Sequence, residues 1–263
     1  MTSPCMAADP VGSPLLHKPP KMVCTAMPRR PSYKGALSPS DVVAGMAAAR
    51  RNARRLAEDA QLLLDQGRWA SASSLAVLSI EESGKVGVLR RLSLASEAPD
   101  LKAGWDGYGS HRRKLGHPLG LGEVFVPNAL LSLADALTEA IDRRAETVAS
   151  MDARKQAGFY TDCVPDPSGR SFWVEPTAAI TPDHARTVVG CAAILLEHRE
   201  VTVREIELFV EHVGPVLDRP GMVEGWRTWM RAMATEGLLG ETVEAAEDRM
   251  LDSAFGHGWR DGI

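Results

Sequence analysis

Apolar residues first recur at three- and four-residue steps through Val42, Met46, Ala49, Ala53, Leu56, Ala60, Leu63 and Leu64, the period of one buried helical face. The helix has a defined start. Ser38-Pro-Ser-Asp41 supplies an N-cap serine, a proline at the first helical position and an acid that complements the helix dipole, and Gly67 supplies a stop. A second helix is predicted from about Trp69 to Ala95, ending before Pro99. A third follows from Leu101, Trp105, Tyr108 and Leu115, contains Ser110-His-Arg-Arg-Lys-Leu-Gly-His117, and is ended by Gly116 and Pro118. After a glycine-rich connection, Leu130 to about Gln156 reads as a fourth long helix with Leu133, Leu137, Ile141 and Val148 inward. Four helices with short links make an antiparallel bundle. From Gly158 to Pro182 the periodicity gives way to a loop-rich connector with a short hairpin. Thr181-Pro-Asp-His then opens a further helix through Val188, Ala192 and Leu195, and shorter helical patterns occupy 202–213, 221–236 and 241–252. The expected class is all-α.

One stretch breaks the hydrophobic pattern. At about 100° per residue, Leu75, Leu78, Glu81, Glu82, Lys85, Leu89 and Leu92 fall within roughly 60° of one line, so two carboxylates and an ammonium share a face with leucines. An unpaired buried ion costs several kcal/mol. Glu82 with Lys85 at i,i+3 and Glu81 with Lys85 at i,i+4 are spaced to neutralise one another. The cluster is therefore a structural polar knot or part of a site. Uncompensated carboxylates would make Lys85→Ala cost about 3–5 kcal/mol.

Charge and composition narrow the classes. Residues 1–37 hold five Lys or Arg, one Asp and seven of the 17 prolines, which describes a disordered basic tail. Met22 and Met27 within it are also alternative starts. The tail carries +4, so the remainder carries −8 against the chain's −4, and any nucleic-acid contact must come from a local patch. No apolar run approaches the roughly 20 residues of a membrane span, and no signal pattern opens the chain, so the expectation is a cytoplasmic protein without membrane contact. Cys5, Cys24, Cys163 and Cys191 lack the paired spacing of a zinc site or disulfide framework, and His184, His198, His212 and His257 lack ligand spacing. No metal and no cofactor are expected, and no glycine-rich phosphate loop supports nucleotide binding.

Four features, in order along residues 40–200, resemble the abortive-infection AbiV family of bacterial phage-defence proteins, whose domain belongs to the HEPN superfamily. Asn52 to Leu64 is similar to the family's opening helix, and Ala72 to Lys85 to its Glu-Glu-x-Gly-Lys segment. Tyr108 to Lys114 is similar to an aromatic followed by His-x-x-Lys. Arg154-Lys-Gln-Ala-Gly-Phe-Tyr-Thr-Asp162, ahead of Trp173 and Pro176, resembles a Lys-x-x-Gly-x-Tyr-x-Asp stretch. The expected organisation is a disordered tail at 1–37, a HEPN-like domain at 38–200 that carries the resemblance, and a helical extension at 201–263 outside it.

Many HEPN proteins are metal-independent ribonucleases that place Arg, four to six residues, then His in a site completed by two protomers. Arg112 and His117 match that spacing, with His111 beside them. The resemblance thus implies a homodimer that cuts RNA: the His moves the ribose 2′-hydroxyl proton or protonates the leaving oxygen, and the Arg holds the scissile phosphate in its planar fork. On an ideal helix, however, Arg112 and His117 sit about 140° apart. His111 and Lys114, one turn apart, are each placed to contact a phosphate or to bond the Glu81, Glu82 and Lys85 cluster. Tyr160 and Asp162 either close over that cluster or end the fourth helix and start the connector. Trp226 and Trp229 read as core. The competing function is a non-catalytic interaction protein that binds a phage or host factor through the bundle surface.

Overall fold

The computed structural model describes residues 32–116, 134–196, 200–217, 221–239, 242, 243 and 245, with side chains left undescribed at 134–145, 222 and 223. Helix α1 (Pro39–Asp65) begins with the expected cap: the Asp41 amide donates to Ser38 Oγ at 3.2 Å, and the Asp41 carboxylate accepts from the Ser38 amide. That reciprocal bonding satisfies two donors that have no partner within the helix. The chain leaves α1 through Gly67 at φ 71°, a left-handed conformation that costs glycine nothing. Val42, Met46, Ala49, Ala53, Leu56 and Ala60 are buried as the periodicity required.

Helix α2 (Trp69–Leu92) is the axis of the molecule. It packs against α1, α3 (Ala98–Gly109), α4 (His111–Gly116), α5 (Ala134–Phe159) and α7 (Pro182–Ile194). Its first half is buried nearly all round through Ala70, Ala72, Ser73, Ser74, Ala76, Val77, Ser79, Ile80 and Glu81, so the single leucine stripe expected from sequence is not its organising feature. Leu75 and Leu78 are only half-buried. Small side chains let neighbours approach closely, and the hydroxyls they bring are used: Ser79 Oγ donates to the Ala53 carbonyl at 2.7 Å, and Ser74 Oγ to the Lys155 carbonyl at 3.0 Å. Two apolar clusters surround this axis. One joins Ala60, Ala76, Val77, Ile80, Leu115, Val148 and Val188, and the other Val42, Met46, Leu89, Leu92, Trp105 and Ile206. Each large side chain so buried contributes about 1.5–3 kcal/mol.

The expected third helix is two helices. Ser110 takes an extended ψ of 120° after Gly109, and its hydroxyl accepts from the Arg113 amide to start α4. Serine competes for backbone bonds in this way wherever a helix can be restarted. The break rephases the chain, sending Trp105 to one core cluster and Leu115 to the other.

After α5 the connector forms a hairpin of β1 (Asp162–Pro165) and β2 (Ser171–Val174), antiparallel with Cys163 opposite Trp173 and Val164 opposite Phe172. Asp166 closes its turn by accepting from the amides of Ser168 and Arg170. Short α6 (Pro176–Ala179) leads to α7, capped by Thr181. Helices α8 (Val203–His212) and α9 (Met222–Thr235) pack Phe209, Trp226 and Trp229 edge to face. The elements belong to one compact unit from Lys34 to Ile263. They form an all-α, HEPN-like bundle with a loop-rich connector and added C-terminal helices. His117, Leu133, most of the 241–252 segment and nearly all of the basic tail lie outside the described residues.

Candidate functional site

Glu81 lies midway along α2, where burial reaches all sides, and is 2% exposed. A carboxylate at that depth requires charged partners, and two elements supply them. From α5, Lys155 Nζ approaches Glu81 Oε1 at 2.6 Å and Asp152 Oδ1 at 2.9 Å. From α4, His111 Nδ1 meets Glu81 Oε2 at 2.6 Å, and Lys114 Nζ stands 3.8 Å from the same oxygen. Glu82 and Lys85 form their own ion pair one turn on, at 2.7 Å, and the Lys85 ammonium sits 5.0 Å from the centre of the Tyr108 ring.

The knot anticipated on α2 therefore exists, with the expected Glu82–Lys85 pair but a different partner for Glu81. Lys85 neutralises Glu82, and both remain half-buried, whereas the buried carboxylate is Glu81 and its counter-ion is Lys155. The Lys85→Ala cost expected from sequence transfers to Lys155 accordingly. Sequence reasoning gave Lys155 no role, although it opens the Lys-x-x-Gly-x-Tyr-x-Asp stretch. The available signal was that lysine itself, three residues from Gly158, where the helices touch. A Cβ on Gly158 would lie 2.2 Å from Ser74 Oγ and 2.8 Å from the Ala70 carbonyl oxygen. Glycine there lets α5 come close enough for Lys155 to reach Glu81.

The two buried lysines respond oppositely to this environment. Burial alone would lower Lys155, but its hydrogen bonds to Glu81 and Asp152 outweigh it and raise the ammonium above its ordinary range. Burial also lowers Lys114, and attraction to Glu81 only partly offsets it, since Lys114 approaches that oxygen without reaching hydrogen-bond distance.

Lys85, Lys114 and Lys155 already match Glu81, Glu82 and Asp152 in charge. The other basic side chains of α4 reach the surface. The His111 side chain is 57% exposed, with one nitrogen on Glu81. Arg112 is exposed, and Arg113 is exposed with Nη1 donating to the Ala103 carbonyl at 3.4 Å. A buried anion thus orients a histidine at the surface of a cationic turn. Such a turn is suited to proton transfer beside a phosphate.

Other expected members lie apart. Tyr160 follows the last turn of α5 and is 60% exposed, and Asp162 is exposed at the start of β1. Neither is brought to Glu81, where Lys155 and Asp152 take the place assigned to a closing pair. Among the described residues, no group of three or more His, Cys, Asp or Glu is placed to hold a metal ion, and no helix is long and apolar enough to cross a membrane.

A family model for AbiV, of the HEPN type, matches residues 41–197. The chain belongs to the AbiV family of HEPN proteins. The match spans Glu81, His111, Lys114 and Lys155, the full set that meets at the buried carboxylate, and leaves α8 and α9 outside it. Membership makes this a HEPN-type abortive-infection protein, a class implying phage defence. No curated protein and no solved structure gives a match.

Proposed function

We propose that this AbiV-family protein is a metal-independent endoribonuclease that blocks translation in infected cells, acting as a homodimer in the cytoplasm. The observation that carries the reading is the half-exposed His111 ring anchored on buried Glu81, beside exposed Arg112. In this mechanism His111 takes the ribose 2′-hydroxyl proton, and the 2′-oxygen attacks phosphorus as the bond to the 5′-oxygen breaks. His117 donates the proton that the leaving oxygen takes up. Exposed Arg112 offsets charge on the phosphate. The products are a 2′,3′-cyclic phosphate and a 5′-hydroxyl end. Acid–base work of this kind contributes about 10²–10⁴ in rate. The catalytic domain spans 38–200, with 1–37 and 201–263 as appendages.

The test is incubation of labelled total RNA with purified protein in the presence of chelator, beside Arg112→Ala and His117→Ala. Cleavage leaving cyclic phosphate ends, lost in both folded variants, is the expected result. Cleavage that persists in both would contradict the assignment.

A second reading, a non-catalytic protein that binds a phage or host factor, draws support from the hairpin, where Phe172 and Trp173 are 54% and 68% exposed. That reading predicts phage protection that survives loss of Arg112 and His117 and fails when the Glu82–Lys85 pair is broken.

A further inference from the structure

The bonding of Glu81 contains more information than its burial, because each of its oxygens has a different kind of partner. Lys155 Nζ is a donor with no acceptor capacity, and it occupies Oε1 at 2.6 Å. His111 Nδ1 occupies Oε2 at the same distance. A carboxylate oxygen facing a ring nitrogen accepts, so in the neutral imidazole the proton is on Nδ1 and the lone pair on Nε2. Lys155 is 3% exposed and also tied to Asp152, which fixes the carboxylate in place, while His111 stands at the surface.

We infer that Glu81 is a positioning residue that holds His111 in the Nδ1–H tautomer, leaving Nε2 as the base that removes the 2′-hydroxyl proton, with Lys155 as the group that orients Glu81. The assignment rests on the ribonuclease reading for its role in catalysis, but not for the tautomer itself. Imidazolium formed when Nε2 takes the proton remains bonded to Glu81 through Nδ1–H and later returns the added proton to solvent. Histidine–carboxylate pairs set ring orientation and tautomer in this way in other hydrolytic sites.

The arrangement makes Glu81→Gln an unusually informative substitution. Glutamine has the same shape, but Lys155 can bond only its carbonyl oxygen, which turns the amide NH₂ toward His111. Nδ1 must then accept, and the ring proton moves to Nε2, where it blocks the base.

The experiment is nitrogen-15 NMR of the full-length protein, with the His111 ring assigned as the resonance lost in His111→Ala, combined with RNA cleavage kinetics on the same samples. The expected result is Nδ1–H in the wild type and Nε2–H in Glu81→Gln. Cleavage should fall about 10²–10⁴-fold in kcat with KM little changed. Glu81→Asp, which keeps an acceptor for Nδ1, should retain the wild-type tautomer. The same tautomer in wild type and Glu81→Gln would overturn the positioning assignment, as would Glu81→Gln cleaving at the wild-type rate. If the wild type cuts no RNA, the ribonuclease reading fails, and the tautomer comparison still decides whether Glu81 positions His111.

Discussion

Helix α2 meets buried ion pairs at two points about 13 Å apart along its axis, and the two are built differently. At Glu81 the partners are lysines and a histidine whose ring opens to solvent. At Arg90 the partner is Glu205 of α8, with Oε1 3.0 Å from Nη2. Arg90 lies over the Phe209 and Trp229 rings, and the Trp229 indole donates to the Glu205 carbonyl. Both carboxylates are 2% exposed. The Arg90 pair packs against aromatic rings and links α8 to α2, whereas the Glu81 cluster leads outward through a group that can carry a proton. Burial of charge alone therefore does not mark a site. What separates the two is the surface histidine bonded to the buried carboxylate in the Glu81 cluster.

The largest expected effect lies in the Glu81 cluster. Lys155→Met removes the ammonium closest to Glu81 and should cost about 3–5 kcal/mol, whereas Lys85→Ala, affecting a half-buried pair, should cost about 1 kcal/mol or less. Denaturant unfolding of both variants measures the difference. Equal losses would restore Lys85 as the counter-ion and break the contrast between the clusters.

A smaller effect tests how the cluster is assembled. Gly158→Ala drives a methyl into Ser74 Oγ and the Ala70 carbonyl, so α5 must shift away from α2 at a cost of about 1–3 kcal/mol. Thermal unfolding measures that cost, and RNA cleavage should fall with it because Lys155 moves with the helix. A fully stable and active variant would mean that the close approach is dispensable.

The smallest effect concerns pH. Burial, and secondarily the positive charge of Arg154, hold His184 of α7 below its ordinary 6.5. As pH falls, the unfolded chain takes up this proton first, so stability is complete above 6.5 and declines below it until the folded-state ring also protonates. The melting temperature should fall between about pH 7 and pH 5, and His184→Gln should lessen the slope. An unaltered slope would place the pH sensitivity elsewhere.

Much of the fold was legible because it rests on local rules. The cap at Ser38 and Asp41, the stop at Gly67, the Thr181 cap and the spacing of inward residues on α1 are short-range signals, and each agrees with the structure. The break at Ser110 was hidden because the apolar steps from Trp105 to Leu115 fit one continuous helix equally well. Glu81, Glu82 and Lys85 were singled out correctly, as were the Glu82–Lys85 pair and His111 as a partner of the cluster, but the main counter-ion of Glu81 was not. Lys155 lies 74 residues beyond Glu81, and periodicity along one helix contains no information about a lysine on another. The neighbouring lysine at i,i+4 was the only partner that local geometry offered.

The most direct test sets the two ion pairs side by side in one assay: chelator-treated RNA cleavage by Glu81→Gln and by the double variant Arg90→Met/Glu205→Leu, each verified as folded. Replacing both members of a buried pair by apolar groups is often neutral for stability, so the double variant should keep its fold and cut RNA at the wild-type rate. Glu81→Gln should be folded and nearly inactive. Equal activity in the two variants would contradict the assignment of the Glu81 cluster as the functional one.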